Sequence, residues 1–205
     1  LVLGEVAERE LTALGNYGAA KVLHAADARL NETEGTVFTK IIAAAAEQEA
    51  ADVIIFPHNF DGKAIAPRVA ARLKAGFVSG VVSYPDTSNG FVVKKSVFSG
   101  KAFANINITS AKKVIAVMPN TFAVEKSSDT ATVTAFPATV NDGDFKVKVS
   151  KVETVSGEIP LTEAEIVVSG GRGLKGPENW GLVTDLAQAL GAGTACSRPV
   201  ADSGW

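Results

Sequence analysis

Between Leu1 and Gly76 the sequence alternates short apolar runs with longer amphipathic stretches, and few architectures accept that order. "LVLG", "AKVLHAAD" and "ADVIIFP" read as strands. The last has four consecutive apolar residues before Pro57, the composition of a strand covered on both faces. Three helical stretches separate and follow them. "EVAERELTALGNYG" is a helix ended by glycine, and "NETEGTVFTKIIAAAAEQEA" is an alanine-rich helix opened by the capping residues Asn31, Thr33 and Glu34. "KAIAPRVAARLKAG" is a third, with Gly76 placed to stop it. Such alternation builds a Rossmann-like α/β fold, a mainly parallel sheet with helices on both sides.

After Gly76 the composition shifts to valine, threonine and phenylalanine. "FVSGVVSYP", "GFVVKKSVFSGKAFANINIT", "KKVIAVMPNTF" and "DFKVKVSKVETV" read as β-rich additions that extend the sheet to about Val155. "DTSNG" has the turn chemistry for a hairpin between the first two, and "VNDGD" does the same before the last. Beyond "SGEIP" the α/β pattern returns: a short turn at "LTEAE", a strand at Ile166, Val167 and Val168, a glycine-rich turn, a helix from about Pro177 to Leu190, and a strand near "GTACSR". That reset places a domain boundary close to Gly157, giving an α/β domain over 1–156 and the first βαβ unit of a second nucleotide-binding domain over 157–205.

The formal charge of −2 argues against a broad electrostatic grip on nucleic acid, leaving room only for a local basic patch, and the apolar runs are too short for a membrane helix. Cys196 is the only cysteine, so the chain has neither an intrachain disulfide nor a cysteine-based metal cage, which fits a reducing compartment. The opening "LVLGEV", a strand already in progress without an initiator Met, and the apolar end "RPVADSGW" suggest a piece of a longer polypeptide.

The chemistry concentrates in "IVVSGGRGLKGPENWGLVTDLAQALG". Gly171-Arg172-Gly173-Leu174-Lys175-Gly176 spells the G-x-G-x-x-G of dinucleotide sites. Around Gly170, Gly171 and Gly173 no Cβ stands between backbone amides and an anion. Gly176 can cap a helix that starts with Pro177, and a helix N-terminus favours an anion by roughly 0.3–1 kcal/mol when exposed. Arg172 adds a planar, doubly donating cation suited to pyrophosphate. A nicotinamide site fails one check: about 20 residues on it wants a carboxylate for the ribose hydroxyls. Here that place reads "CSRP". Ser197 and Arg198 offer a hydroxyl and a cation, and Pro199 biases Arg198 toward extended geometry at a strand end.

The stretch from Leu161 to Trp205 resembles the segment that opens the FAD domain of electron-transfer flavoprotein α subunits. The S-G-G-R-G-L turn, the E-N plus aromatic, the D-L-A in the helix and the S-R-x-x-x-D-x-G-W ending carry the likeness. "LTALGNYGAAKVLHAAD" and "GKAIAPRVAARLKAG" resemble the family's N-terminal domain, which is adenine-nucleotide-hydrolase-like. The resemblance implies a non-covalent FAD touched by Arg172, Ser197 and Arg198 beside Gly171 and Gly173, and a β subunit completing a heterodimer. It also implies an electron carrier rather than a catalyst of a substrate reaction. Electrons would pass from acyl-CoA dehydrogenases of fatty acid β-oxidation to a membrane quinone oxidoreductase, in the bacterial cytoplasm or the mitochondrial matrix. An Arg198 guanidinium near the flavin would favour its reduced, anionic state. The family's remaining FAD contacts, in a Gly-Gln-Thr-Gly loop, lie beyond Trp205, so this polypeptide alone is not expected to retain FAD. The competing reading is a nucleotide-binding regulatory module without redox activity.

Other residues suggest plainer roles. Cys196 reads as a small buried hydrophobe and His24 as a hydrogen-bonded core histidine. His58 follows "VIIFP" at a strand's carboxyl end, where a nucleotide would bind, and stays open between ligand and architecture. Arg68 and Arg72 lie one helical turn apart and read as a solvated or interface face. No metal-ligating set or nucleophile–base pair is evident.

Overall fold

The computed structural model describes residues 1–152, 159–161 and 164–205. They form two compact units, Leu1–Ser150 and Lys151–Trp205. The boundary expected near Gly157 lies outside the described residues.

The first unit opens as the alternation predicts: β1 (Val2–Leu3), α1 (Glu8–Ala13), β2 (Lys21–Ala25), α2 (Gly35–Gln48), β3 (Val53–Pro57) and α3 (Phe60–Leu73). Glu34 starts α2, its carboxylate accepting the Val37 amide at 2.6 Å. Asn59 starts α3 by accepting the Gly62 amide at 2.8 Å. The stop of α3 is not Gly76. Lys74 takes the left-handed position at φ 52°, and Gly76 begins the next strand.

Then follow β4 (Gly76–Val81), β5 (Val92–Val97), β6 (Ala102–Asn107), β7 (Lys113–Val117) and β8 (Thr132–Ala135). Asp86 accepts from the Ser88 amide at 2.9 Å and its hydroxyl at 2.7 Å, which fastens the turn between the antiparallel β4 and β5. Gly80, at φ 71°, sits where the β4–β7 register shifts between Ser79 and Val81. A side chain there would be strained.

The strands form two sheets where one was expected: a parallel β1-β2-β8, and β3-β7-β4-β5-β6 with its first three strands parallel. Helix α2 serves both. Its Val37, Ile41 and Ala45 pack with Leu23, Ala25 and Phe136, while Ala43 and Ala46 pack with Phe56, Val114 and the apolar side of α3. On the other face of β2, Val22 meets Leu11 of α1. Strand β3 is not covered on both faces. It is an edge strand; Phe56 is buried beneath the helices, and Ile55 on the opposite side is 64% exposed.

The β-rich reading needs two further corrections. β8 went unrecognised, because four residues of "TVTA" inside a polar, threonine-rich stretch give too short a pattern. The strand expected over 144–155 does not form: Asn141 caps a single 3-10 turn at Asp142–Asp144, residues 145–152 have no regular structure, and 153–155 lie outside the described residues.

The second unit is a βαβ: β9 (Val167–Gly170), α4 (Gly181–Leu190) and β10 (Gly193–Cys196), with the strands parallel and paired from Val167–Gly193 to Gly170–Cys196. Val183 and Ala187, one turn apart, are the buried face of α4. Gly191, at φ 61°, ends the helix. A short α5 (Arg198–Asp202) follows β10 directly. Among the described residues no helix is long and apolar enough to cross a membrane.

Candidate functional site at the strand ends of the second unit

The parallel pairing of β9 and β10 sets their carboxyl ends side by side, where open α/β sheets hold ligands. All five residues singled out for a cofactor follow these two ends. Gly171, Arg172 and Gly173 leave β9; Ser197 and Arg198 leave β10. Gly171 and Ser197 come near one another across the two ends. A Cβ built on Gly171 would stand 3.9 Å from Ser197 Oγ, and one on Gly173 would meet nothing within 4 Å.

The turn is not the direct strand-to-helix passage of a nicotinamide fold. Arg172–Leu174 forms one 3-10 turn, Lys175 is left-handed at φ 71°, and Pro177–Asn179 forms a second 3-10 turn before α4 begins at Gly181. Gly176 and Pro177 thus start a 3-10 turn rather than the α-helix expected there. The amides of Arg172 and Gly173 find no acceptor among the described residues, while Leu174 and Lys175 bond back to the carbonyls of Gly171 and Arg172 at 3.0 Å each.

Two residues hold this shape that sequence reasoning did not assign to it. Asn179 Nδ2 donates to the Leu174 carbonyl at 2.8 Å, closing the loop across both 3-10 turns. Trp180 lies under Gly170: a Cβ there would come within 2.6 Å of the indole and 2.8 Å of Leu174 Cδ1. The E-N-aromatic sequence was the available signal, since an amide followed by a ring suits a loop clamp over a glycine.

Arg172 is exposed, and its guanidinium has no hydrogen bond or ion pair among the described residues. Arg198 lies 3.6 Å from Asp202 one turn along α5, both largely exposed. The extended conformation expected of Arg198 falls one residue earlier, on Ser197 (φ −70°, ψ 148°). Arg198 is the first helical residue, with Pro199 second. Pro199 suits the first turn of a helix, and that placement overrides its bias on the preceding residue. Cys196 is exposed rather than buried, as the last residue of a two-stranded ladder.

The available donor set is therefore backbone N–H, a hydroxyl and two guanidinium groups, all suited to a phosphate-bearing anion. No carboxylate occupies the end of β10 where a nicotinamide ribose would need one. Among the described residues no group of His, Cys, Asp and Glu could hold a metal.

The candidates of the first unit have separate settings. A His24 ring nitrogen bonds the Gly4 carbonyl at 2.9 Å. Arg68 and Arg72 are exposed on α3. His58 Nδ1 is buried and has no hydrogen-bond partner among the described residues. Burial, then the charges of Lys63 and Lys95, keeps the imidazole below its ordinary pKa.

Residues 1–141 match the model of the electron transfer flavoprotein domain, and residues 160–205 match that of the electron transfer flavoprotein FAD-binding domain. The chain is 30% identical over its whole length to an electron transfer flavoprotein subunit alpha of Bacillus subtilis, covering 63% of that protein. It is 33% identical to one of Syntrophomonas wolfei, covering 65%. Over 92% of its length it is 30% identical to a probable mitochondrial subunit alpha of Caenorhabditis elegans, covering 56%. The chain thus spans less than two thirds of the length of these relatives.

Proposed function

Because this chain belongs to the electron-transfer flavoprotein family and matches its α subunits, we propose that it is the α component of a heterodimeric electron carrier. FAD, bound without a covalent link and completed by a β subunit, supplies the redox chemistry. With it bound, the carrier would take electrons from acyl-CoA and related dehydrogenases toward a membrane quinone oxidoreductase. The chain's own residues would bind and orient FAD: the amides of Arg172 and Gly173 and the Arg172 guanidinium would hold the diphosphate, with Ser197 and Arg198 at the adjacent strand end. Gly171 leaves the approach open between them. The compartment is the bacterial cytoplasm, or the mitochondrial matrix in a eukaryote.

The observation that carries this reading is the convergence of Gly171, Arg172, Gly173, Ser197 and Arg198 on the paired carboxyl ends of β9 and β10. It is tested by co-expressing the complete polypeptide with its β subunit and recording the absorption spectrum. Flavin bands that fade on reduction by an acyl-CoA dehydrogenase and its substrate support the carrier. A colourless complex that binds adenine nucleotides would replace it with a regulatory module.

A further inference from the structure

Lys175 takes the strained place in the glycine-rich turn. Its backbone is left-handed, at φ 71° and ψ −27°, while Gly176 beside it is extended at φ −171°. A residue with a Cβ keeps a left-handed conformation only where its surroundings impose it. Here the peptide group between Leu174 and Lys175 is tied at both polar ends. Its N–H donates to the Arg172 carbonyl at 3.0 Å, and its carbonyl accepts from Asn179 Nδ2 at 2.8 Å. Asn179 is the side chain that reaches back from the second 3-10 turn to the first.

This tie settles which amides stay available. With the Leu174 and Lys175 amides bonded back to Gly171 and Arg172, those of Arg172 and Gly173 have no acceptor among the described residues. The other end of the turn is closed to an anion. The Glu178 carboxylate covers Gly176, where a built Cβ would overlap it, and its charge repels phosphate from that glycine.

We propose that Asn179 is a positioning residue for the cofactor's diphosphate; this rests on the FAD reading above. Its amide fixes the Leu174–Lys175 peptide, and that peptide fixes the direction of the free Arg172 and Gly173 amides. Donors set before the ligand arrives need no ordering when it binds. Asn179 is exposed, so its effect falls on the turn rather than on the core. It also offsets the strain at Lys175, which couples the two positions. A glycine at 175 accepts left-handed geometry without steric cost, and the tie then matters less.

A double-mutant cycle of Asn179→Ala and Lys175→Gly, made in the complete polypeptide with its β subunit, tests this. Flavin fluorescence on titrating the apoprotein reads FAD affinity, redox titration reads the midpoint potential, and amide hydrogen exchange of the apoprotein reads the turn itself. Asn179→Ala is expected to melt like wild type and to exchange its Leu174 and Lys175 amides faster. It should bind FAD about three- to tenfold more weakly, the scale of one neutral hydrogen bond. In the Lys175→Gly background the same change should weaken binding by no more than about twofold. The potential should not move, because Asn179 carries no charge. Unchanged affinity, unchanged exchange at 174 and 175, or equal losses in the two backgrounds overturns the positioning role and leaves the FAD site standing. A shifted potential overturns it as well, since Asn179 would then lie beside the flavin ring. So does a variant that melts well below wild type, the side chain then serving the fold. Wild type that binds no FAD overturns both the role and the reading it rests on.

Discussion

The amide of Ser197 donates to the carbonyl of Gly170 at 3.0 Å. This bond carries the β9–β10 ladder one residue past Cys196, and it brings the Ser197 hydroxyl to the glycine that follows β9. Arg172 and Arg198 then issue from neighbouring strand ends. Two cations that are 26 positions apart in the chain thereby follow adjacent ends of one parallel ladder.

Replacing these arginines should separate binding from redox tuning. Arg172→Ala in the complete heterodimer is expected to weaken FAD binding about tenfold, the scale of one charge-assisted hydrogen bond. Arg198→Ala is expected to lower the flavin's midpoint potential, because a nearby cation favours the reduced, anionic form. The Asp202 partner does not cancel this, since a pair so exposed at 3.6 Å holds its charges weakly. Equilibrium dialysis and a redox titration measure the two effects; an unchanged potential removes Arg198 from the flavin.

Gly170→Ala should damage the turn without touching a charge. The new methyl would meet the Trp180 ring and Leu174 Cδ1 inside van der Waals contact, and overpacking of this kind costs about 1–3 kcal/mol. Both tryptophans of the chain, Trp180 and Trp205, lie in the second unit. Thermal unfolding followed by tryptophan emission should therefore show the loss directly.

The α/β alternation was legible because α2 and α3 are long, capped and periodic, and because the strands that pair with them are apolar. What was not legible depended on pairing. "VIIFP" has the composition of a doubly covered strand, yet β3 lies at a sheet edge, and hydrophobicity alone does not say which neighbour is present. "DFKVKVSKV" has strand periodicity, but a strand needs a ladder, and none of the described residues supplies one. At the candidate site, residue types singled out positions that directly follow β9 and β10. The conformation of Arg198 was misread because Pro199 acts through a helix's first turn rather than through the residue before it. Cys196 was misread because burial was assumed for a strand that has a neighbour on one side only.

Gly62→Ala tests why the β3–α3 passage needs its glycine. A Cβ there would overlap the Pro57 carbonyl oxygen, a backbone atom with no rotamer to escape into. The loss should reach about 3 kcal/mol or more, at the upper end for overpacked sites. Asn59→Ala removes only the cap that accepts the Gly62 amide, and should cost about 1 kcal/mol. Urea unfolding of the two variants should rank them in that order; equal losses would mean that the cap, not the close approach, fixes the turn.

His58 should give the first unit a pH dependence of definite sign. Burial chiefly, with the positive charges of Lys63 and Lys95, lowers its folded-state pKa below the ordinary 6.5. Its Nδ1 is buried without a partner, so the native packing favours the neutral ring. Between the folded and unfolded values the unfolded chain binds more protons, so stability rises with pH across that window. The contribution is complete above about pH 6.5 and is lost as pH falls through the lower, folded value. Asp27 and Asp144 act in a separate range. Hydrogen bonds from Arg29 and from Lys40 depress them below 3.8, so their contributions persist above 3.8 and disappear only in stronger acid. Urea unfolding from about pH 8 to about pH 5 should therefore show wild type losing stability as His58 protonates. His58→Gln, which cannot take up that proton, should show a flatter profile; parallel profiles for the two proteins would assign the acid sensitivity elsewhere.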